Sequence, residues 1–227
     1  KMATTAIATR SKKLSGILAF ENMADYGVCR EAVTCVIEAG QDVGDALVRT
    51  LISPTGTAGA IVGTGNGVMG AITVAENATA DVYTLRIVKA VSNAGDFTIT
   101  NSYGTVVSNG SVAVAHVGAG MSFTLADGAT DFIVGDTIPI TVAGTEKFKW
   151  IEAADVATLN GDVAVLIETD KDVPSMTVGD NTCAVLRIGT AGIVGANLTY
   201  KDALSAGQKA TVLAKFKAKK IFSRTKV

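Results

Sequence analysis

A glycine-rich loop, a lone histidine and two sets of spaced carboxylates are the residues of this sequence whose types and spacing bear on chemistry. Gly65-Asn66-Gly67-Val68-Met69-Gly70 has the GxGxxG form of a dinucleotide loop and follows Ala60-Ile61-Val62. Such a loop works by opening a helix whose N-terminus meets the pyrophosphate. Here Ala71 to Val74 and Tyr83 to Val88 read as strand, so a glycine turn is expected instead. His116 is the only histidine, which rules out a multi-histidine metal cluster or a histidine pair sharing acid-base work. No GxSxG accompanies it, and the nearest serine context is Gly120-Met121-Ser122, so a loop histidine between strands is expected.

Glu168, Asp170 and Asp172 alternate along an extended segment and would place three carboxylates on one side, where Ca²⁺ binds. The EF-hand pattern is absent and Val173-Pro174 ends the run, so an exposed acidic turn is expected. Asp127, Asp131 and Asp136 have no apolar, aromatic surroundings to seat a sugar or raise a pKa, and read as turn and cap residues rather than a glycosidase pair. Lys209, Lys215, Lys217, Lys219, Lys220, Arg224 and Lys226 would suit a polyanion, yet cations at a helix C-terminus are favourable without a ligand. The structural reading is preferred. No catalytic residue, cofactor or metal site is expected.

The 227 residues carry a formal net charge of -1, so no global field draws the chain to nucleic acid or an anionic membrane. Only 18% of residues are charged, against about 25% in an ordinary soluble domain, and mean hydropathy is +0.37. Apolar surface is therefore expected to be buried against other chains. No apolar run is long enough for a membrane span, and no secretory leader is expected. The three cysteines share no metal or disulfide spacing and fit reduced assembly in a cytoplasm.

The elements that must hold these residues are mostly strands. Residues 1 to 20 lack a sustained period and read as an arm. Arg30 to Ile37 alternates as a strand, a turn at Ala39 to Asp42 leads to a second at Val43 to Leu51, and Ser53 to Gly59 reads as a domain crossing. Short alternating runs follow: Val68 to Val74, Tyr83/Leu85/Ile87, Phe97/Ile99, Val106/Val107, Phe123/Leu125 and Ile138/Ile140/Val142. Asn93 to Asp96, Asn109-Gly110 and Ala126 to Gly128 supply turn chemistry between them, and the whole predicts a β-sandwich over 56–144. Beyond it come the apolar strands Val163 to Ile167, Ala184 to Ile188 and Ile193 to Leu198. One helix is predicted, from a capping box of Ser205 and Gln208 and an apolar stripe of Val212, Leu213 and Phe216, with a closing strand at Ile221-Phe222.

Taken in order, Asp162 to Ile167, Ala184 to Arg187, Asn197 to Tyr200, and Leu204 to Lys209 leading through Leu213 and Phe216 to Ile221 resemble head decoration ("cement") proteins of tailed bacteriophages, of the lambda type. Arg30 to Leu51 resembles that family's opening strand pair, while Gly65 to Gly70, Ala126 to Phe132 and Val134 to Val142 resemble a module carried by larger decoration proteins. The resemblance implies a mainly β fold: a β-tulip-like decoration core (21–55 and 145–227) with one short C-terminal helix, plus an inserted Ig-like β-sandwich (56–144). It implies a homotrimer on the outer surface of the expanded capsid, made in the host cytoplasm, stabilising the shell without catalysis. An N-terminal arm (1–20) would contact the major capsid protein through Ile7, Arg10, Lys12, Lys13, Leu14, Ile17, Leu18 and Phe20. No membrane or specific nucleic-acid partner is implied. The rival class is a surface adhesin or carbohydrate-binding module, against which stand the 5% aromatic content and the position of the single Trp150 outside the sandwich.

Overall fold

The computed structural model describes residues 18–21, 30–159, 162–167, 178–187 and 191–224. Among these residues the fold is mainly β with one α-helix near the C-terminus. It divides into two compact units, Lys1–Arg49 with Lys147–Val227 (unit 1) and Thr50–Glu146 (unit 2).

In unit 1, β2 (Arg30–Ile37), β13 (Gly179–Leu186), β12 (Val163–Leu166) and β3 (Ala46–Ala58, of which Ala46 to Arg49 lie in this unit) pair in that order, all antiparallel. Alternate residues of β12 enter different clusters: Val163 and Val165 join Val48, Leu186 and Ile193, while Ala164 and Leu166 join Leu47, Cys35 and Val185. A strand covered on both faces has no wet side, which is why its sequence is an unbroken apolar run. A second, three-stranded sheet is ordered β1 (Leu18–Glu21), β14 (Ala191–Val194), β15 (Ile221–Arg224). Helix α1 (Ala206–Ala218) begins at Ser205, whose hydroxyl accepts from Gln208 N while the Gln208 side chain accepts from Ser205 N. That capping box satisfies two otherwise orphaned donors. Val212 and Phe216, one turn apart, are fully buried with Ile221 and Ile193.

Unit 2 holds the sheet β11-β6-β7-β8, formed by β11 (Thr137–Trp150, of which Thr137 to Glu146 lie in this unit), β6 (Asp81–Val91), β7 (Ala94–Thr100) and β8 (Val106–Ser111). In the other sheet β10 (Met121–Ala126) pairs with β4 (Val68–Met69), β5 (Thr73–Val74) and β9 (Ala115–Gly118). Period 2 divides the strands. Tyr83, Leu85, Ile87, Phe97, Ile99, Ile138 and Ile140 pack with Phe123, Leu125 and Phe132 in one cluster, and their threonine and serine neighbours stay outside it.

Two sequence expectations are corrected. The Ser53 to Gly59 break does not end a strand, because β3 runs through Pro54 to Ala58 and Ser53 alone absorbs the irregularity with φ 50°. Asn109-Gly110 is no turn either: both lie in β8, and the reversal comes at Val112-Ala113, with Ala113 at φ 62°. Gly110 is small for another reason, since a Cβ there would meet the Phe97 ring at 2.4 Å. Its composition signals close packing rather than chain reversal.

Candidate functional site

The glycine loop of unit 2 is built around a carboxylate. Asp136, 2% exposed, accepts from Thr64 N (3.0 Å), Gly65 N (2.9 Å) and Ile133 N (3.0 Å). Burial pushes its pKa up, but the three main-chain donors outweigh that and hold it below the usual carboxylate value. A Cβ on Gly65 or Gly67 would meet the Phe132 ring within 2.5 Å. The glycines are thus there to let the loop close on Phe132 and Asp136. The strands β4 and β5 follow where a dinucleotide site would need a helix.

The three aspartates considered together in the sequence do separate jobs. Asp131 accepts from Asn93 N at 3.1 Å, Asp136 clamps the loop, and Asp127 has both carboxylate oxygens buried with no hydrogen-bond partner among the described residues. Among the described residues Asp131 and Asp136 accept from main-chain N–H groups, the work of turn and cap residues.

His116, 4% exposed, sits on β9 between Phe97 and Phe123, with ring centroids 5.6 and 4.9 Å away. It is a core residue of a strand rather than a loop histidine. Its Nε2 lies 3.3 Å from Ser108 Oγ, and burial lowers its pKa despite a hydrogen bond with the Asn109 main chain. A serine beside a neutral imidazole has two parts of a hydrolytic triad. Among the described residues no carboxylate is recorded against the ring, so the orienting member is missing. Nearby, Thr73, Ala115, Val117, Ser122 and Thr124 line an open groove of about 440 Å³.

Unit 1 holds an ion cluster that sequence reasoning missed. Asp162 accepts from Arg49 Nε (2.9 Å) and Arg187 Nη2 (2.9 Å), with Lys219 Nζ at 3.4 Å; Arg187 Nη1 also reaches Glu31 (2.9 Å). The Arg187 guanidinium lies 5.3 Å from the Phe148 ring centroid. Burial pushes the Asp162 pKa up, but Arg187, Lys219 and Arg49 outweigh it and leave the carboxyl below its usual value. The hydrogen bonds that Arg187 donates to Asp162 and Glu31 in turn hold its pKa above the ordinary value. Partners this far apart in the chain leave no local pattern to read.

Of the residues predicted to contact a shell, Leu18 and Phe20 lie in β1, whose main chain pairs with Ile193 and Gly192 of β14. Ile7, Arg10, Lys12, Lys13, Leu14 and Ile17 lie outside the described residues, as do Glu168, Asp170 and Asp172. The basic C-terminal residues are dispersed: Lys215 and Lys217 occupy the last turn of α1 and Lys219 turns to Asp162. Trp150 is half-buried and its indole N–H points to Thr199 O at 3.4 Å.

No family model matches the chain, and no curated protein does. Two crystal structures of Xanthomonas campestris FlgL match weakly. One, in space group H3, is 14% identical over 80% of this chain and 48% of its own, at TM-score 0.32. The other, in space group C2, is 14% identical over 84% of this chain and 50% of its own, at the same TM-score. The chain spans about half the length of these proteins. At that TM-score the likeness assigns neither fold nor function.

Proposed function

We propose that this chain is a structural virion protein, a head decoration protein of a tailed bacteriophage that binds the outside of the expanded capsid as a homotrimer and stabilises the shell. The observation carrying the reading is the order of elements in unit 1: strands β12, β13 and β14, a capped helix, and the closing strand β15, on a core of their own. That is the order the lambda-type resemblance implies, and the low charge and high mean hydropathy of the chain agree with a protein that works in an assembly. The groups best placed for chemistry, the buried Asp136 and His116 and the partly buried Asp162, are tied into loops, core or ion pairs, which suits a protein acting by binding.

The shell-contacting segment in this reading is residues 1 to 17. Leu18 to Glu21 already use one side of their main chain on β14, whereas Ile7, Leu14 and Ile17 would serve as apolar pegs and Arg10, Lys12 and Lys13 would steer toward an acidic surface. Co-sedimentation with expanded capsids, and density above capsid three-fold sites, are expected for the full chain. Removing residues 1–17 should leave the oligomer and abolish most shell binding. A full chain that leaves those sites bare would end the reading; a truncated chain that binds as tightly would remove the arm from it.

A further inference from the structure

In unit 1 the strand order β2-β13-β12-β3-β11 closes on itself, because Phe148, in the part of β11 that belongs to this unit, pairs in parallel with Cys35 of β2. Cys35, Cys183, Ala164, Leu47 and Phe148, one from each of these strands, belong to a single buried cluster, so that cluster fills the interior of a closed barrel. Two free thiols meet inside it. Cys35 stands opposite Asn181 and Cys183 opposite Val33, which makes the cysteines diagonal neighbours on one face of the β2–β13 pair. They are 0% and 1% exposed, and their thiols hydrogen-bond one another.

That hydrogen bond, and after it burial, push the Cys35 thiol up. The thiolate is the nucleophile, so the pair is inert while the barrel is closed. The barrel is not closed evenly. All eight residues of β2 pair with β13, whereas among the described residues β2 meets β11 at the one pair of Cys35 and Phe148. Opening at that seam breaks the least backbone pairing and wets the Cys35 side chain. It leaves the β2–β13 register, and with it the diagonal contact of the two thiols, in place.

We propose that Cys35 and Cys183 are a modification site, a thiol pair that a small-molecule disulfide oxidises to a cross-strand disulfide bond when the barrel opens between β2 and β11. The wetted Cys35 gives its proton to solvent and attacks one sulfur of the small disulfide, whose S–S bond breaks and releases one thiolate. Cys183 then gives up its own proton and attacks the Cys35 sulfur of the mixed disulfide, releasing the second thiolate. The two released thiolates take up the two protons. The protein thus loses two hydrogens and the small disulfide is reduced to two thiols. The product staples β2 to β13 across the interior of the barrel. The inference does not depend on the shell reading.

The test incubates the full chain, and a Cys29→Ser variant that removes the third cysteine, with oxidised glutathione under native conditions. Both proteins should lose two titratable thiols, and peptide mapping should link Cys35 to Cys183. Low urea should accelerate the reaction with less than about half the slope that it has on unit 1 unfolding, because an opening at one seam exposes less surface than global unfolding. Cys183→Ala should stop at a glutathione adduct on Cys35. Should that variant fail to fold, the peptide map and the urea slope carry the test. Thiols that survive the oxidant, a glutathione adduct that persists on Cys35 beside an intact Cys183, or a link through Cys29 would each overturn the inference. So would a urea slope equal to that of unit 1 unfolding, because the bond would then form only in the unfolded unit.

Discussion

Asp136 and His116 are buried in unit 2 under opposite constraints, and pH separates them. The Asp136 carboxylate is preferred in the folded chain because three N–H groups point at it, so its folded pKa lies below the unfolded value of about 3.9. Its contribution is present above that value and is lost as pH falls through the folded pKa. His116 is held neutral by burial, so its folded pKa lies below about 6.5 and the unfolded chain takes up the proton first. That contribution is present above about 6.5 and erodes as pH falls below it. Melting temperature should therefore drop between pH 7.5 and 5.5, and His116→Phe, which suits the Phe97 and Phe123 rings, should flatten this slope. An undiminished slope in the variant would assign the loss elsewhere. Asp136→Asn turns an amide N–H₂ toward main-chain donors and should cost about 3 kcal/mol at neutral pH. A loss under 1 kcal/mol, read from urea midpoints, would mean the clamp is dispensable.

At the scale of elements, the helix was legible because its signals are local: Ser205 and Gln208 sit three apart, and Val212 and Phe216 four apart. The strands of unit 2 were legible by alternation, Tyr83-Thr84-Leu85-Arg86-Ile87 above all. What composition could not separate is a glycine that turns the chain from one that makes room, which is why Gly110 was misplaced against Phe97. Nor could it show that Ser53 bends β3 without ending it. The Asp162 cluster joins residues of β2, β3 and the ends of β13 and α1, so it exists only once the fold does. Ser205→Ala tests how far the local signal carries. It removes one cap acceptor while Gln208 keeps its contact with Ala153 O, and should destabilise by about 1 kcal/mol. Phe216→Ala should cost about 3–5 kcal/mol, because a fully buried ring leaves a cavity. Equal effects in chemical denaturation would mean that the cap, not the packing, holds α1.

For the whole molecule the informative fact is that, among the described residues, each core cluster draws its residues from one unit. Val43 to Ile221 of the first cluster and Cys35 to Val185 of the third belong to unit 1, whereas Leu51 to Val142 of the second belong to unit 2. A unit with its own core carries its own cooperative transition, since burial within it does not depend on residues outside. The chain should accordingly melt in two calorimetric steps. A domain of this size shifts its midpoint by about 4–8 °C for each kcal/mol, which is large enough to assign the steps by mutation. Asp136→Asn should move the unit 2 step alone, and Ser205→Ala the unit 1 step alone. The isolated segment Thr50–Glu146 should then fold and melt at the temperature of the step that Asp136→Asn moves, because Tyr83, Leu85, Phe97, Phe123 and Ile140 all travel with it. A single transition displaced by both substitutions, or a segment that stays unfolded alone, would show that the two cores are one cooperative unit.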